Sequence, residues 1–239
     1  MKKRWMVWGA VFSVFAALAG CSGGALIRDS GTSGRAFLAG GEQAGAESGS
    51  GASGQNGSGT GKGAEKRADA PQQPEGLSEP FAEPPALLTS VGQSADYEII
   101  KTMLDKNGIA YEKNSLAASG DLGDAKTLVL AVGGSSKGLG AAGIDANAEL
   151  KRVEELVGAA DEKGLSILAV HIGGEARRGD LSDQFIAPSF EKADYALVVA
   201  DGDKDGLMAG LAAEKGIPID VVTSMAEAVP KLGAAFKQE

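Results

Sequence analysis

Apolar and polar positions follow two different regimes along this chain. Residues 22–85 show neither a helical nor a strand period. From Ala86 onward, short apolar runs alternate with stretches of helical period. The run at residues 127–132, TLVLAV, is apolar after its first residue and passes into the glycine-rich GGSSKGLG. A continuous β-prone run ending in glycines predicts a strand buried on both faces, and therefore a central one. Residues 165–170 and 196–200 read as further buried strands, and residues 87–91 as the first. Residues 109–112 and 217–222 are mixed in polarity, the latter through Asp220, which predicts positions nearer an edge.

Helices fall between these strands. Gly92-Gln93-Ser94 turns the first strand into a helix that carries Ile99, Ile100, Met103 and Leu104 on one face. Ser94 is its expected N-cap, and Asn107-Gly108 its stop. Asp145 is expected to cap a long helix ending at Gly164. Its apolar face is Leu150, Val153, Leu156, Val157 and Ala160, with Lys151, Arg152, Glu154 and Glu155 on the wet side. Residues 207–215 form a helix stopped by Gly216, and residues 224–236 a closing helix strained by Pro230. Residues 133–143 are expected to be a long loop, with the next helix starting only near Asp145.

Strands alternating with helices imply an α/β three-layer sandwich with a mostly parallel sheet. The expected strand order is flavodoxin-like or Rossmann-like, with residues 87–91 and 127–132 adjacent at a switch point. About 150 residues suffice for such a core. A two-lobed solute-binding protein needs roughly twice that length.

Composition narrows the class. The chain has 239 residues, a net charge of −9, one Cys and one His. An acidic chain with few aromatics lacks the basic face that nucleic acid requires, so no nucleic-acid partner is expected. A lone Cys excludes an internal disulfide.

The N-terminus accounts for that Cys. Lys2, Lys3 and Arg4 precede an apolar stretch at residues 5–18, the length of a signal-peptide core and short for a membrane span. Leu18-Ala19-Gly20-Cys21 resembles the lipobox of bacterial lipoproteins. The resemblance implies a diacylglycerol thioether on Cys21, further acylation such as palmitate, and cleavage that leaves Cys21 first. The expected location is the extracytoplasmic face of the cell membrane, held by the lipid. Residues 1–20 are then a signal peptide and residues 21–85 a disordered Gly/Ser/Pro-rich tether. Residues 86–239 form the α/β domain.

In such a fold the loops leaving the strands gather on one rim. Here they carry Ser94; Gly133, Gly134, Ser135 and Lys137; His171, Arg177 and Arg178; and Asp201, Asp203 and Asp205. Glycines that bare backbone N–H groups beside a lysine suit an anion. The spacing is neither G-x-x-x-x-G-K-[ST] nor G-x-G-x-x-G, and a plain connector is the alternative. Arg177 and Arg178 either bind a carboxylate or phosphate bidentately or pair with Asp180 or Asp183. Ser135, His171 and Asp201 include the residue types of a hydrolytic triad, but no G-x-S-x-G is present, and no catalytic set is assigned. Asp201-Gly202-Asp203-Lys204-Asp205-Gly206 opens like an EF-hand loop, yet the twelfth position is Ala212 rather than Glu. A sparse calcium site and an acidic helix cap are the two readings, and no other cofactor is implied.

The segments VGQSAD, LAVGGSSKGLGAAGID, HIGGEARRGDLSDQFI and ADYALVVADGDKDG resemble an uncharacterised family of bacterial extracytoplasmic domains. The resemblance spans residues 87–236 and implies a shared fold and rim, without a chemistry. Three functions stay open. The domain binds a small anionic ligand through Lys137, His171, Arg177 and Arg178, oriented by Ser94 and Ser135. Alternatively, it is a non-catalytic envelope module that meets another protein. The third is an enzyme using His171 as acid or base.

Overall fold

The computed structural model describes residues 75–238. The expected signal peptide, Cys21 and most of the expected tether lie outside the described residues. The packed chain begins ahead of Ala86. Phe81 and Ala82 donate backbone hydrogen bonds to Ala235 O, at 3.0 and 2.9 Å. The Phe81 ring meets Tyr195 edge-on, with centroids 6.3 Å apart.

Six strands form one all-parallel sheet in the order β2-β1-β3-β4-β5-β6. They are β1 (Ala86–Val91), β2 (Tyr111–Lys113), β3 (Thr127–Val132), β4 (Ser166–His171), β5 (Tyr195–Val199) and β6 (Ile219–Val222). This is the flavodoxin-like order with one strand added, and the Rossmann-like alternative falls away. The order reverses between β1 and β3, which pair in register from Ala86↔Thr127 to Val91↔Val132. The sequence therefore placed the switch point correctly.

The pleat explains why the central strands read as unbroken apolar runs. Leu128, Leu130 and Val132 face one core cluster, while Val129 and Ala131 face the other. The first cluster lies under α2 (Ser136–Ala142), α3 (Ala146–Lys163), α5 (Ile186–Phe190) and α6 (Leu207–Lys215). The second lies under α1 (Asp96–Lys106) and α7 (Met225–Ala234). A further turn of helix, α4 (Asp180–Asp183), precedes α5. No helix among the described residues is long and apolar enough to cross a membrane.

Four expectations need correction. Residues 133–143 are not a long loop, because Ser135 caps α2 by accepting from Gly138 N at 3.1 Å. Ser94 is not the N-cap of α1, a place taken by Ala95 without a side-chain bond. Ile99 is 37% exposed rather than buried with Ile100, Met103 and Leu104. Arg152 is drawn inward, not left on the wet side of α3, because a fully buried Glu149 sits one turn before it.

Candidate functional site

The site is built from the turn that leaves β1. Gly92 and Gln93 both have positive φ, +90° and +58°. For Gln93 this conformation is strained, at a cost of about 1–3 kcal/mol that its surroundings must supply. Two anchors do so. Gln93 Nε2 donates to Ser115 O at 2.9 Å and to Glu149 Oε1 at 3.0 Å. Gly92 N donates to the same Glu149 oxygen at 2.8 Å.

Glu149 is itself held by Arg152, whose Nε lies 2.8 Å from Oε2. The Arg152 guanidinium also donates to Ser90 O and Ala117 O, each at 2.6 Å. This ion pair is sealed but fully hydrogen-bonded, the condition under which a buried pair is tolerated. It ties α3 to the carboxyl end of β1.

β3 contributes the facing wall. Gly133 N donates to Val91 O and Ser135 N to Gly92 O, so the two loops run side by side across the switch point. A Cβ on Gly133 would lie 3.2 Å from Ser94 Oγ, 3.3 Å from Asp96 Oδ2 and 3.4 Å from Arg177 Cβ. Ser94, Gly133 and Arg177 are therefore neighbours, and Asp96 joins them. Gly173 closes the group from the β4 side, where a Cβ would collide with Arg177 Cγ and Asp96 Oδ2. Asp96 had the sequence signature of an ordinary first-turn acid, which concealed its place in the site.

Asp96 and Arg177 form an ion pair of unusual quality. Arg177 Nε lies 3.3 Å from Asp96 Oδ2, and the side chains are 28% and 7% exposed. Neither atom makes a hydrogen bond of proper geometry. The remaining Arg177 nitrogens make no hydrogen bond among the described residues. A buried polar group without a partner costs about 1–3 kcal/mol.

His171, the last residue of β4, is 1% exposed. Its Nδ1 is 3.0 Å from Val132 O. A carbonyl only accepts, so Nδ1 carries the proton and Nε2 presents a lone pair. Nε2 completes no hydrogen bond, and a Cβ on Gly202 would collide with the ring. Burial pulls the imidazole pKa below its ordinary value, against opposing pulls from the Val132 and Gly174 backbone and from Asp96.

Arg178 is taken up by two carboxylates and a backbone carbonyl. Nε and Nη2 reach Asp183, at 2.8 and 3.3 Å. Nη1 and Nη2 reach Asp205, at 3.0 and 2.7 Å, and Nη1 also donates to Gly202 O. All five guanidinium N–H groups are thereby used. Asp183 was one of the two carboxylates expected from the sequence, and Asp205 is the unexpected second. Arg178 holds the Asp205 carboxyl down at about 2.

The three aspartates of the DGDKDG turn have separate tasks. Asp203 accepts from Met208 N at 2.7 Å and Ala209 N at 2.9 Å, capping α6. Asp205 pairs with Arg178, and Asp201 lies 3.5 Å from Lys204 Nζ. Among the described residues no three His, Cys, Asp or Glu side chains are grouped to hold a metal. Of the three, Asp203 makes the hydrogen bonds of an acidic helix cap.

Of the other expected residues, Gly134 packs on Ser182, with Gly134 N donating to Ser182 Oγ at 3.0 Å. Ser135 is spent on its cap. Lys137 is exposed on α2, without an ion pair among the described residues.

Residues 83–236 match a family described as a domain of unknown function, DUF6305. No curated protein matches the chain, and neither does any solved structure. The match covers the whole sheet and every rim residue described above, so the chain belongs to the DUF6305 family.

Proposed function

We propose that this chain is a lipid-anchored extracytoplasmic protein whose α/β domain binds a small anionic ligand at the switch-point crevice. Arg177 is the principal contact. The observation that carries the reading is the state of its side chain. One edge rests against the buried Asp96 carboxylate, and 28% of the side chain is exposed. A guanidinium fixed from behind offers paired donors to a carboxylate or phosphate, with little rotamer entropy left to lose. Asp96 keeps the local charge balanced when no ligand is bound.

Lys137 adds a second positive charge from α2. Ser94 and the Gly133 backbone line the floor. His171 supports that floor by holding β4 to the end of β3. Arg178 belongs to the scaffold, since its donors are all committed. The strained Gln93 fits the same reading, because backbone strain concentrates at ligand clamps. The anchor rests on Leu18-Ala19-Gly20-Cys21, with Cys21 the sole thiol.

Thermal unfolding of the full-length chain tests the ligand reading. Phosphate, dicarboxylates, nucleotides and neutral sugars are added at fixed ionic strength. A ligand at a hundredfold its Kd adds about 2.7 kcal/mol, a shift of a few degrees at this size. One anion class is expected to raise the Tm of the wild type and not of Arg177→Gln. An equal shift in Arg177→Gln, or no shift with any anion, contradicts the reading. Labelled palmitate tests the anchor: incorporation is expected in the wild type and not in Cys21→Ser.

A further inference from the structure

A second surface lies away from the rim, on the face covered by α3, α5 and α6. These helices enclose a groove of about 560 Å³. Its floor is apolar, made by Val157 and Gly158 of α3, Pro188 of α5 and Leu211 of α6. Glu154 and Glu214 stand at its mouth. α3 and α6 each turn an i, i+3, i+4 face into the groove, residues 154, 157 and 158 and residues 211, 214 and 215, while α5 and the turn after it supply residues 187, 188, 191 and 192. A trough walled in this way matches the shape of another α-helix.

Gly158 is part of the trough's lining. It occupies the middle of the 18-residue helix α3, where glycine costs about 1 kcal/mol relative to alanine. Packing does not require it, since a Cβ built there meets nothing within 4 Å. The missing side chain leaves room for something from outside.

The charges define what that is. The lysines of the groove are already paired, Lys215 with Glu191 at 2.6 Å and Lys192 with Asp161 at 3.5 Å. Glu154 and Glu214 have no ion-pair partner among the described residues. The open charge at the mouth is negative and the floor is apolar. We infer that this groove receives an amphipathic helix of a partner protein, with its apolar stripe on the floor and its Lys or Arg flank against Glu154 and Glu214. The site is independent of the Arg177 crevice, and either can fail without the other.

The test uses the full-length chain and a labelled Leu/Lys amphipathic helical peptide of about 15 residues, long enough to form a helix on binding. A Leu/Glu peptide of the same pattern is the control. Fluorescence anisotropy at physiological salt reads the affinity. Binding of the Leu/Lys peptide is expected, with loss of about tenfold or more in Gly158→Leu and, separately, in Glu154→Lys/Glu214→Lys. Gly158→Leu should keep or raise its Tm, because it removes a mid-helix glycine and a Cβ there meets nothing within 4 Å. The Leu/Glu peptide should bind at least tenfold more weakly. No binding, equal binding of both peptides, or undiminished binding by these folded variants overturns the inference.

Discussion

Arg177 Nε and Asp96 Oδ2 stand 3.3 Å apart at the β1–β3 switch point, and neither completes a hydrogen bond. The pair is therefore held by charge more than by hydrogen-bond geometry. Removing only the arginine leaves a carboxylate that is 7% exposed without compensation. Arg177→Gln is expected to lose about 1–3 kcal/mol of unfolding free energy. Asp96→Asn/Arg177→Gln should recover most of that loss, since the orphaned charge is gone. Denaturant unfolding of the four members of this cycle measures it, and a strictly additive double variant would refute the coupling.

Glu149 and Arg152 answer to the opposite logic. Their pair is buried but every Glu149 oxygen is hydrogen-bonded, and Glu149 also pins Gly92 and Gln93. Glu149→Ala should cost about 3–5 kcal/mol, the range for breaking one side of a buried pair. It should also free the Gln93 turn, visible as faster amide exchange at Gly92 and Gln93.

Two glycines of α2 separate packing from propensity. A Cβ at Gly138 would collide with the Gln93 carbonyl, whereas one at Gly140 meets nothing within 4 Å. Gly138→Ala should lower the unfolding free energy by about 2 kcal/mol or more, and the Tm with it. Gly140→Ala should be neutral or stabilising by up to about 1 kcal/mol. Thermal melts of the two variants decide this.

The only His of the chain gives an isolated pH probe. Its folded pKa is depressed below 6.5, mainly by burial. Between the folded and unfolded values, the unfolded chain binds a proton that the folded chain does not. That part of the stability is whole above pH 6.5 and is lost as pH falls through the folded value. The Tm should decline on acidification from pH 7 to pH 5, and His171→Gln should flatten the decline over that window. A single imidazole titration by NMR supplies the folded pKa independently.

Much of the architecture was legible in the residues themselves. Thr127–Val132 announced a central strand because both its faces are apolar, and Asp145 and Gly164 bracketed α3 with sound cap chemistry. The segment SKGLGAA did not read as a helix. Two glycines depress its propensity, and α2 depends on the Ser135 cap and on burial of Leu139. The short turns of helix between His171 and Tyr195 fall below the length at which a period can be seen. Arg152 deceived because helical spacing treats charge as exposed, while a buried carboxylate one turn earlier reverses that. Asp96 was missed for a related reason: only the β1–β3 pairing and the return of residues 173–177 bring Arg177 to it.

The ligand reading rests on Arg177 having donors to spare while Arg178 has none. The side-chain Nε–H resonances of these two arginines report on that difference directly. On titrating the full-length chain with the anion that raises its Tm, the Arg177 resonance is expected to move saturably while the Arg178 resonance stays fixed. A static Arg177 resonance, or equal movement of both, would contradict the crevice as a binding site.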